Sequence, residues 1–373
     1  MEAVAAALPK EDDFPNAEVL VATTWNCNLR CRYCFVKAQT TAPGRGNMTQ
    51  SLARQVVDGL DEGMQHVESI CIHLYGGEPL TNIPAMRAMI ERAACKPAGR
   101  FSFAITTNGS IATPEVIDLL DQGRFQIILS IDGPAEIHDA CRRTLGGHPT
   151  HANVIDFLHK VKRSTCCSVR GSAVVRSGWS LEQAERYLRT LPVDSIKAQA
   201  VRVPAEDPSA LSRREKRQYL EDLEAVAQRI IGELERGEIP RDDRYSTRVL
   251  QLLAGRSRAH FCGAGHTTFG IAPDGTLSPC VLLDSETDRL GNIRDDPRRW
   301  LAAGAEWLSA KQQRAACGSC DAAPLCGGGC PAIIPVCGAD ECEIIRRNCA
   351  MARRIFERFR DRPEALLLLA GIA

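Results

Sequence analysis

The chain has 373 residues, 44% hydrophobic and 25% charged, so it can form a barrel with an appended domain and is not a disordered chain. Its 46 basic and 46 acidic residues cancel, which argues against a nucleic acid or an anionic membrane as the main partner. The N-terminus lacks the basic segment of a secretory signal, and the apolar run at 365–373 is too short to cross a bilayer. We therefore expect a cytoplasmic protein.

Short β-branched runs alternate with helical patterns from residue 18 to residue 203. The runs predict six strands: Val19–Thr24, Ser69–Leu74, Phe101–Thr107, Gln126–Ile131, Cys167–Val175 and Ser195–Val203. Between them, apolar residues at helical spacing and capping residues predict five helices. Strands that alternate with helices pair in parallel through right-handed crossovers. The pattern therefore predicts an α/β fold, a partial (β/α)6 TIM-like barrel with its chemistry at the C-terminal strand ends.

The cysteines are placed unevenly along the chain. Of 17, three lie between Cys27 and Cys34 and nine between Cys262 and Cys349. In a reducing compartment such a set indicates metal or redox chemistry rather than disulfides. We predict five parts: an N-terminal extension over 1–17, the barrel over 18–208, a helical linker over 209–255, a cysteine-rich domain over 256–361 and a C-terminal tail over 362–373.

The first three cysteines follow the first predicted strand directly. Cys27, Cys31 and Cys34 are spaced C-x-x-x-C-x-x-C, and three thiolates in one loop can ligate three irons of a 4Fe–4S cluster. The fourth iron then keeps an open position, which can bind S-adenosylmethionine (SAM) and pass it an electron. Buried apolar cysteines or half of a zinc site are the alternatives, although zinc ribbons favour paired C-x-x-C knuckles.

This spacing, its place after strand one and the aromatic Phe35 resemble the radical SAM superfamily. The resemblance implies that Phe35 lies near the adenine of SAM. It extends to a loop similar to the family's GGEP motif, formed by Gly76, Gly77, Glu78 and Pro79. Ser130 and Arg142 resemble residues that bind the methionine carboxylate, a group that suits a guanidinium. Arg143 competes with Arg142 for that role.

The later cysteines follow a pattern of Cys262, Gly275-x4-Cys280, Cys317-x-x-Cys320-x5-Cys326-x3-Cys330 and Cys349. This pattern resembles the SPASM domain, a C-terminal extension of many peptide-modifying radical SAM enzymes. The resemblance implies that one auxiliary 4Fe–4S cluster is held by Cys317, Cys320, Cys326 and Cys349. It implies three ligands of a second auxiliary cluster: Cys262, Cys280 and Cys330. That second cluster either keeps an open iron or is completed by Cys337, Cys342 or His266. One structural zinc site between Cys317 and Cys330 is the alternative for this region.

The resemblance implies an enzyme that cleaves SAM reductively and uses the 5′-deoxyadenosyl radical to abstract hydrogen from a ribosomal peptide. The product would be an oxidative modification or a cross-link, as in RiPP maturases. A radical SAM dehydrogenase or other transformation of a small metabolite is one alternative, and a non-enzymatic zinc or iron–sulfur interaction protein is another. The expected partners are a peptide and a reductant such as flavodoxin or ferredoxin. The chain begins near the first strand, where some peptide maturases carry a leader-binding domain, so a separate peptide-recognition protein, a leaderless peptide or a small-molecule substrate would each fit.

The catalytic side chains are not identified by the motifs. In the more distantly similar anaerobic sulfatase-maturating enzymes, an Asp base follows the cysteine that corresponds to Cys280. This chain has Val281 there, so formylglycine formation is disfavoured. The candidates are Asp284 as a base and Cys71 and Cys141 as hydrogen-atom donors.

Overall fold

The computed structural model describes residues 16–34, 36, 46–283, 285–311 and 317–369. Phe35 and Asp284, both predicted site residues, lie outside the described residues. The described chain divides into two compact units. The first contains residues up to 171 together with 263–311, and the second contains 172–262 together with the residues from 317 onward.

The first unit is built on a sheet. Its described strands are β1 Asn16–Thr24, β2 Ser69–Gly76, β3 Phe101–Thr107, β4 Gln126–Ser130, β7 Thr268–Ile271, β8 Thr276–Ser278 and β9 Gly291–Asn292. The strand order is β4-β3-β2-β1-β7-β8-β9. The pairs from β4 to β7 are parallel, whereas β8 and β9 continue antiparallel. The C-terminal ends of β1 to β4 therefore meet at one edge.

Helices accompany these strands. They are α1 Gln50–Gly63, α2 Ile83–Ala93, α3 Pro114–Gln122, α4 Ala135–Cys141, α5 His151–Ser164 and α9 Pro297–Ala310. α1 and α3 begin where the hydroxyls of Thr49 and Thr113 accept backbone N–H groups. On β2, Ile70, Ile72 and Leu74 are fully buried, while alternate residues are half-buried. One face of the sheet thus carries the core, and the other is partly open.

The second unit is mostly helical. The strand β5 Ser168–Val175 begins in the first unit and ends in the second, where β6 Ser195–Ala200 follows. The helices are α6 Leu181–Arg189, α7 Arg213–Glu235, α8 Ser246–Leu253, α10 Ala323–Cys326, α11 Ile334–Phe359 and α12 Pro363–Leu369. The long helix α11 packs against α7 and α8 and kinks at Gly338, whose φ is 55°. A capping box formed by Ser180 and Gln183 starts α6.

The prediction of an α/β fold with a partial barrel is confirmed. All six predicted strands form, with bounds that agree to within three residues. β7 and β8 form an antiparallel hairpin with its turn at Asp274-Gly275, and β7 also pairs in parallel with β1, with Val19 opposite Phe269. The hairpin therefore continues the sheet of the first unit. The five-part division of the chain stays a prediction.

Within the described ranges, none of the helices combines the length and the apolar character needed to cross a bilayer.

Candidate active site

The three front cysteines form a loop at the C-terminal end of β1. The Sγ of Cys27 accepts the N–H of Leu29 at 3.4 Å, and Nδ2 of Asn108 lies 3.9 Å from it. Burial raises the pKa of the Cys27 thiol to about 12, and the nearby charges of Glu78, Cys31 and Cys34 add to the rise. The three sulfurs therefore lie close enough to influence each other's charge. Such thiols ionise when they bind metal.

The predicted GGEP loop follows β2 and binds to the backbone of the cysteine loop. The N–H of Gly77 donates to the Thr24 carbonyl at 3.0 Å, and the N–H of Glu78 donates to the Asn26 carbonyl at 2.8 Å. A Cβ on Gly77 would overlap the Asn26 carbonyl oxygen. Glycine is therefore required here by the close approach of the two loops, in addition to any access it gives to a ligand.

The carboxylate of Glu78 is fully buried and holds two strand ends together. Its Oε1 accepts from the hydroxyl of Thr107 at 2.8 Å and from the N–H of Leu80 at 3.1 Å, and its Oε2 accepts from the N–H of Asn108 at 2.7 Å. Burial raises the pKa of this carboxyl to about 7, although the three donors oppose the rise. The side chain of Glu78 is thus used to shape the loop.

The pKa of Glu78 predicts how stability depends on pH. Between pH 4.5 and 7 the folded protein keeps a proton that the unfolded chain loses, so stability falls as the pH rises through this window. The fall is up to about 1.4 kcal/mol per pH unit. Glu78→Gln removes this titration, so urea denaturation at pH 5 and pH 7 should show a smaller loss for the variant than for the wild type. An identical loss in both proteins would contradict the prediction.

Arg142 lies beside the cysteine loop in a buried polar network. Its Nη1 is 4.0 Å from the Sγ of Cys31, and its Nε is 3.2 Å from Oδ1 of the fully buried Asp132. The hydroxyl of Tyr33 donates to the other oxygen of Asp132, and the Tyr33 ring centre lies 5.4 Å from the guanidinium carbon. Burial alone would lower the pKa of Arg142, but the charge of Asp132 raises it well above its usual value. This cation can bind a carboxylate through two parallel hydrogen bonds.

The side chain of Arg143, the competing candidate, is hydrogen-bonded to backbone carbonyls. Its Nε donates to the Asp139 carbonyl at 2.7 Å and its Nη1 to the Gly147 carbonyl at 3.0 Å. The geometry therefore favours Arg142 as the residue next to the cysteine loop. The half-buried Ser130 ends β4 at the same edge of the sheet, where Pro79 opens a short 3-10 turn after β2. The roles of these residues in cofactor binding stay a prediction.

Sequence reasoning does not single out Tyr33, Asp132 or His138. The N–H of Asp132 donates to Nδ1 of the buried His138 at 3.4 Å, and Nε2 of His138 lies 3.1 Å from the Thr150 hydroxyl. That hydroxyl donates to the Arg142 carbonyl at 2.7 Å. Burial lowers the pKa of His138 to about 4, so the ring stays neutral at pH 7. The sequence offered one sign of their importance, which was their position. Tyr33 lies between Cys31 and Cys34, and Asp132 lies two residues after Ser130.

The two cysteines considered as hydrogen-atom donors lie in different surroundings. Cys141 is buried at the end of α4, and its carbonyl accepts the N–H of Arg32 in the cysteine loop at 3.2 Å. Cys71 is half-buried on β2 beside the hydroxyl of Ser102, and burial raises the pKa of its thiol. Cys141 is thus the one that adjoins the cysteine loop, and a donor role for either stays a prediction.

Cys280 also belongs to the first unit. It packs, as Cys34 does, against an apolar cluster formed by Ala22, Trp25, Val36 and Val281. Val281 is 5% exposed within this cluster. The position that carries an acidic base in sulfatase-maturating enzymes is therefore part of an apolar core here. His266, considered as a ligand of the second auxiliary cluster, lies with its ring centre 5.8 Å from that of His66.

In the second unit, three of the predicted auxiliary ligands meet. Cys320, Cys326 and the buried Cys349 pack around a cluster of Ala322, Leu325 and Ile345. Burial raises the pKa of both Cys326 and Cys349, and each lies near another thiol of the group. Cys317, the fourth predicted ligand, is buried, and its carbonyl accepts the N–H of Cys320 at 3.1 Å. This donor set has the chemistry that an iron–sulfur cluster requires.

The remaining predicted ligands in the second unit are Cys262, Cys330, Cys337 and Cys342. Cys262 is exposed, while the other three are half-buried. The Sγ of Cys337 lies 3.9 Å from the Val203 carbonyl, in a cavity that also contains Lys216 and Asp340. The assignment of these cysteines to a cluster stays a prediction.

Comparison with a family model identifies one domain of this chain. Residues 21–191 match the radical SAM superfamily. This chain carries a radical SAM domain. It is 26% identical over 361 residues to the mycofactocin maturase MftC of Mycobacterium tuberculosis, covering 92% of this chain and 86% of that protein. It is also 24% identical to the subtilosin biosynthesis protein AlbA of Bacillus subtilis, over 73% of this chain and 56% of AlbA.

The fold is shared with a solved structure. The structure of anSMEcpe with bound AdoMet and Cp18Cys peptide superposes with a TM-score of 0.75, at 19% identity, covering 96% of this chain and 100% of that chain. The predictions of an enzyme and of the radical SAM fold are confirmed. Members of the superfamily use a 4Fe–4S cluster and SAM, so these predicted cofactors are confirmed for the radical SAM domain.

The residues of the front site fit those cofactors. Amide or guanidinium groups approach the Cys27 and Cys31 sulfurs, as expected for thiolates that carry negative charge. Among the described residues, no three His, Cys, Asp or Glu side chains are arranged around a single metal ion. A cubane places each ligand on a separate iron, which requires a wider arrangement. Cys27, Cys31 and Cys34 would hold the cluster, with Arg142 beside it.

Proposed function

We propose that this protein is a radical SAM/SPASM enzyme that removes hydrogen from a ribosomal peptide and thereby installs an oxidative modification or a cross-link. The observation that carries the proposal is the extent of the similarity to MftC. It covers 92% of the chain and therefore includes the cysteine-rich C-terminal region as well as the radical SAM domain. Similarity to a maturase over both regions favours a peptide over a small metabolite.

Two further observations support a peptide substrate. AlbA belongs to the biosynthesis of a bacteriocin, and the anSMEcpe structure with this fold contains both AdoMet and a peptide. In this chain the half-buried face of the sheet carries polar side chains. On that face Nδ1 of His73 lies 2.7 Å from Oε1 of Glu18, and its Nε2 lies 2.9 Å from the Thr106 hydroxyl. These groups offer hydrogen bonds to a peptide backbone.

The residues at the strand ends would divide the work of binding. When bound, a 4Fe–4S cluster supplies the electron that cleaves SAM to the 5′-deoxyadenosyl radical. The guanidinium of Arg142 would bind the methionine carboxylate, with the hydroxyl of Ser130 as a second donor. The backbone of the loop at Gly76 and Gly77 would accept from the methionine amino group. Asp132 and Tyr33 would keep Arg142 in place.

The pattern around Cys280 narrows the reaction. Val281 is buried among apolar side chains, so the acidic base of the sulfatase-maturating enzymes has no counterpart at that position. We therefore favour a cross-link or another oxidative modification of a peptide over the oxidation of a side chain to formylglycine. A cluster held by Cys317, Cys320, Cys326 and Cys349 would accept the electron that the substrate gives up.

The test uses a short peptide encoded beside the gene. Incubation under anaerobic conditions with the reconstituted enzyme, SAM and a reductant should lower the peptide mass by hydrogen atoms. The matched control is the Cys27→Ala variant, which should leave the mass unchanged. An unchanged peptide mass with wild-type enzyme, while 5′-deoxyadenosine accumulates, would contradict the peptide proposal and favour a small-molecule substrate.

A further inference from the structure

Two arginines of the second unit lie beside predicted ligands of one auxiliary cluster, the one assigned to Cys317, Cys320, Cys326 and Cys349. Arg248, on α8, lies near the thiols of Cys349 and Cys326. Arg258, in the loop after α8, lies near Cys262, Cys326 and Cys349. Two guanidiniums thus approach the same pair of sulfurs.

The surrounding backbone holds Arg258 in this position. Its N–H donates at 2.8 Å to the carbonyl of Pro324, which lies in the short helix α10 that ends at Cys326. Its Nη1 donates to the Phe261 carbonyl at 2.8 Å. Gln251, from α8, donates to the same Pro324 carbonyl at 2.8 Å. Arg258 is therefore fixed by contacts to the segment before Cys262 and to the helix that ends at Cys326.

The charges of the two arginines are not neutralised by carboxylates. Within the described chain, neither guanidinium forms an ion pair with an acidic side chain, and the charged groups that surround Arg258 are Arg248 and cysteines. The Nε of Arg248 is buried and has no hydrogen-bond partner. Both arginines are half-buried, and the sulfurs are the groups available to supply a compensating negative charge.

Backbone N–H groups also approach one of these sulfurs, that of Cys326. The N–H groups of Gly328 and Gly329 donate to the Sγ of Cys326. Both glycines, and Gly327 before them, have positive φ values of 95°, 83° and 66°, a conformation that L side chains rarely adopt. The glycine run after Cys326 therefore turns two N–H groups toward its sulfur.

We propose that Arg248 and Arg258 are positioning residues that raise the reduction potential of the auxiliary cluster held by Cys317, Cys320, Cys326 and Cys349. Reduction adds one negative charge to a cluster, and adjacent cations and N–H donors stabilise the reduced state. The inference rests on the proposed function, in which this cluster is the electron acceptor. There the adenosyl radical takes one hydrogen atom from the peptide, and the resulting radical gives one electron to the cluster and one proton to solvent.

The test is a redox titration of the reconstituted full-length enzyme, followed by electron paramagnetic resonance. The relevant signal is the component that is lost in Cys349→Ala and unchanged by added SAM. We expect Arg248→Gln and Arg258→Gln each to increase the ratio of oxidised to reduced cluster, measured at a fixed potential, by three- to tenfold. A tenfold shift corresponds to about 59 mV for one electron.

Matched variants separate charge from packing. Arg248→Lys keeps the charge and should stay close to the wild-type potential. Arg236→Gln removes an exposed charge of the same unit that pairs with Glu238, and should leave the potential unchanged. If Arg248→Gln loses iron, Arg258→Gln decides, because it leaves the contact between Arg248 and Cys349 in place.

The outcomes distinguish this inference from the proposed function. Wild-type potentials in Arg248→Gln and Arg258→Gln, at full iron content, would overturn the inference alone. The absence of any signal that depends on Cys349 in the wild-type enzyme would overturn the ligand assignment itself and, with it, the proposed electron acceptor.

Discussion

Replacement of any one of Cys27, Cys31 or Cys34 by alanine is expected to abolish cluster binding at the front site. Two remaining thiolates cannot hold three irons of a cubane, so the iron content should fall by about four per chain, the content of one 4Fe–4S cluster. Affinity for SAM should fall by more than about 100-fold, the upper end of effects seen when only outer-shell partners are lost. Iron assays and equilibrium dialysis with SAM measure the two effects.

The control for this prediction is Cys95→Ala. Cys95 is exposed, and its thiol contacts the Glu91 carbonyl in the same unit. Its replacement should leave the iron content and the affinity for SAM at wild-type values. Full iron content in Cys31→Ala would show that the cluster is held elsewhere.

Removing the negative charge of Asp132 is expected to destabilise the first unit strongly. Asp132→Asn leaves the buried guanidinium of Arg142 without its counterion, and breaking a buried pair in this way costs about 3–5 kcal/mol. The Tyr33 hydroxyl also loses a charged acceptor. The midpoint of urea denaturation should therefore move to a clearly lower concentration.

Two variants make this prediction specific. Asp58→Asn removes a surface carboxylate that pairs with Arg92 and Lys96, and should cost less than about 1 kcal/mol. Adding Arg142→Met to Asp132→Asn removes the unpaired charge and should restore part of the lost stability. If Asp132→Asn were as stable as Asp58→Asn, the network around Arg142 would not be a folding determinant.

The strands and the cysteine loop were predictable because they depend on local sequence. The β-branched runs of β1 to β6 and the spacing of Cys27, Cys31 and Cys34 require no knowledge of tertiary contacts. The loop at Gly77 was also recognisable from the sequence, but only part of the reason why glycine is needed there could be read from the sequence. Its glycine is required by the Asn26 carbonyl of another segment, and such a close approach cannot be seen in one stretch of sequence.

Other features depend on contacts between distant segments. The parallel pairing of β7 with β1 joins residues about 250 positions apart, and a hairpin alone gives no sign of where its outer edge will pair. Arg142 and Arg143 are adjacent and chemically identical, so the sequence alone does not distinguish their roles. In the structure Arg142 pairs with Asp132 and contacts the Tyr33 ring, whereas Arg143 donates to the Asp139 carbonyl. Two cations near Cys349, Arg248 on α8 and Arg258 in the loop after it, come from a segment that carries no recognised motif.

The central claim is that Cys27, Cys31 and Cys34 hold a cluster that cleaves SAM. The most direct test is to quantify 5′-deoxyadenosine. Wild-type enzyme is reconstituted with iron and sulfide and then mixed anaerobically with SAM and dithionite. We predict that 5′-deoxyadenosine forms without added substrate and that none forms with Cys31→Ala. Wild-type enzyme with a full complement of iron that forms no 5′-deoxyadenosine would contradict the claim.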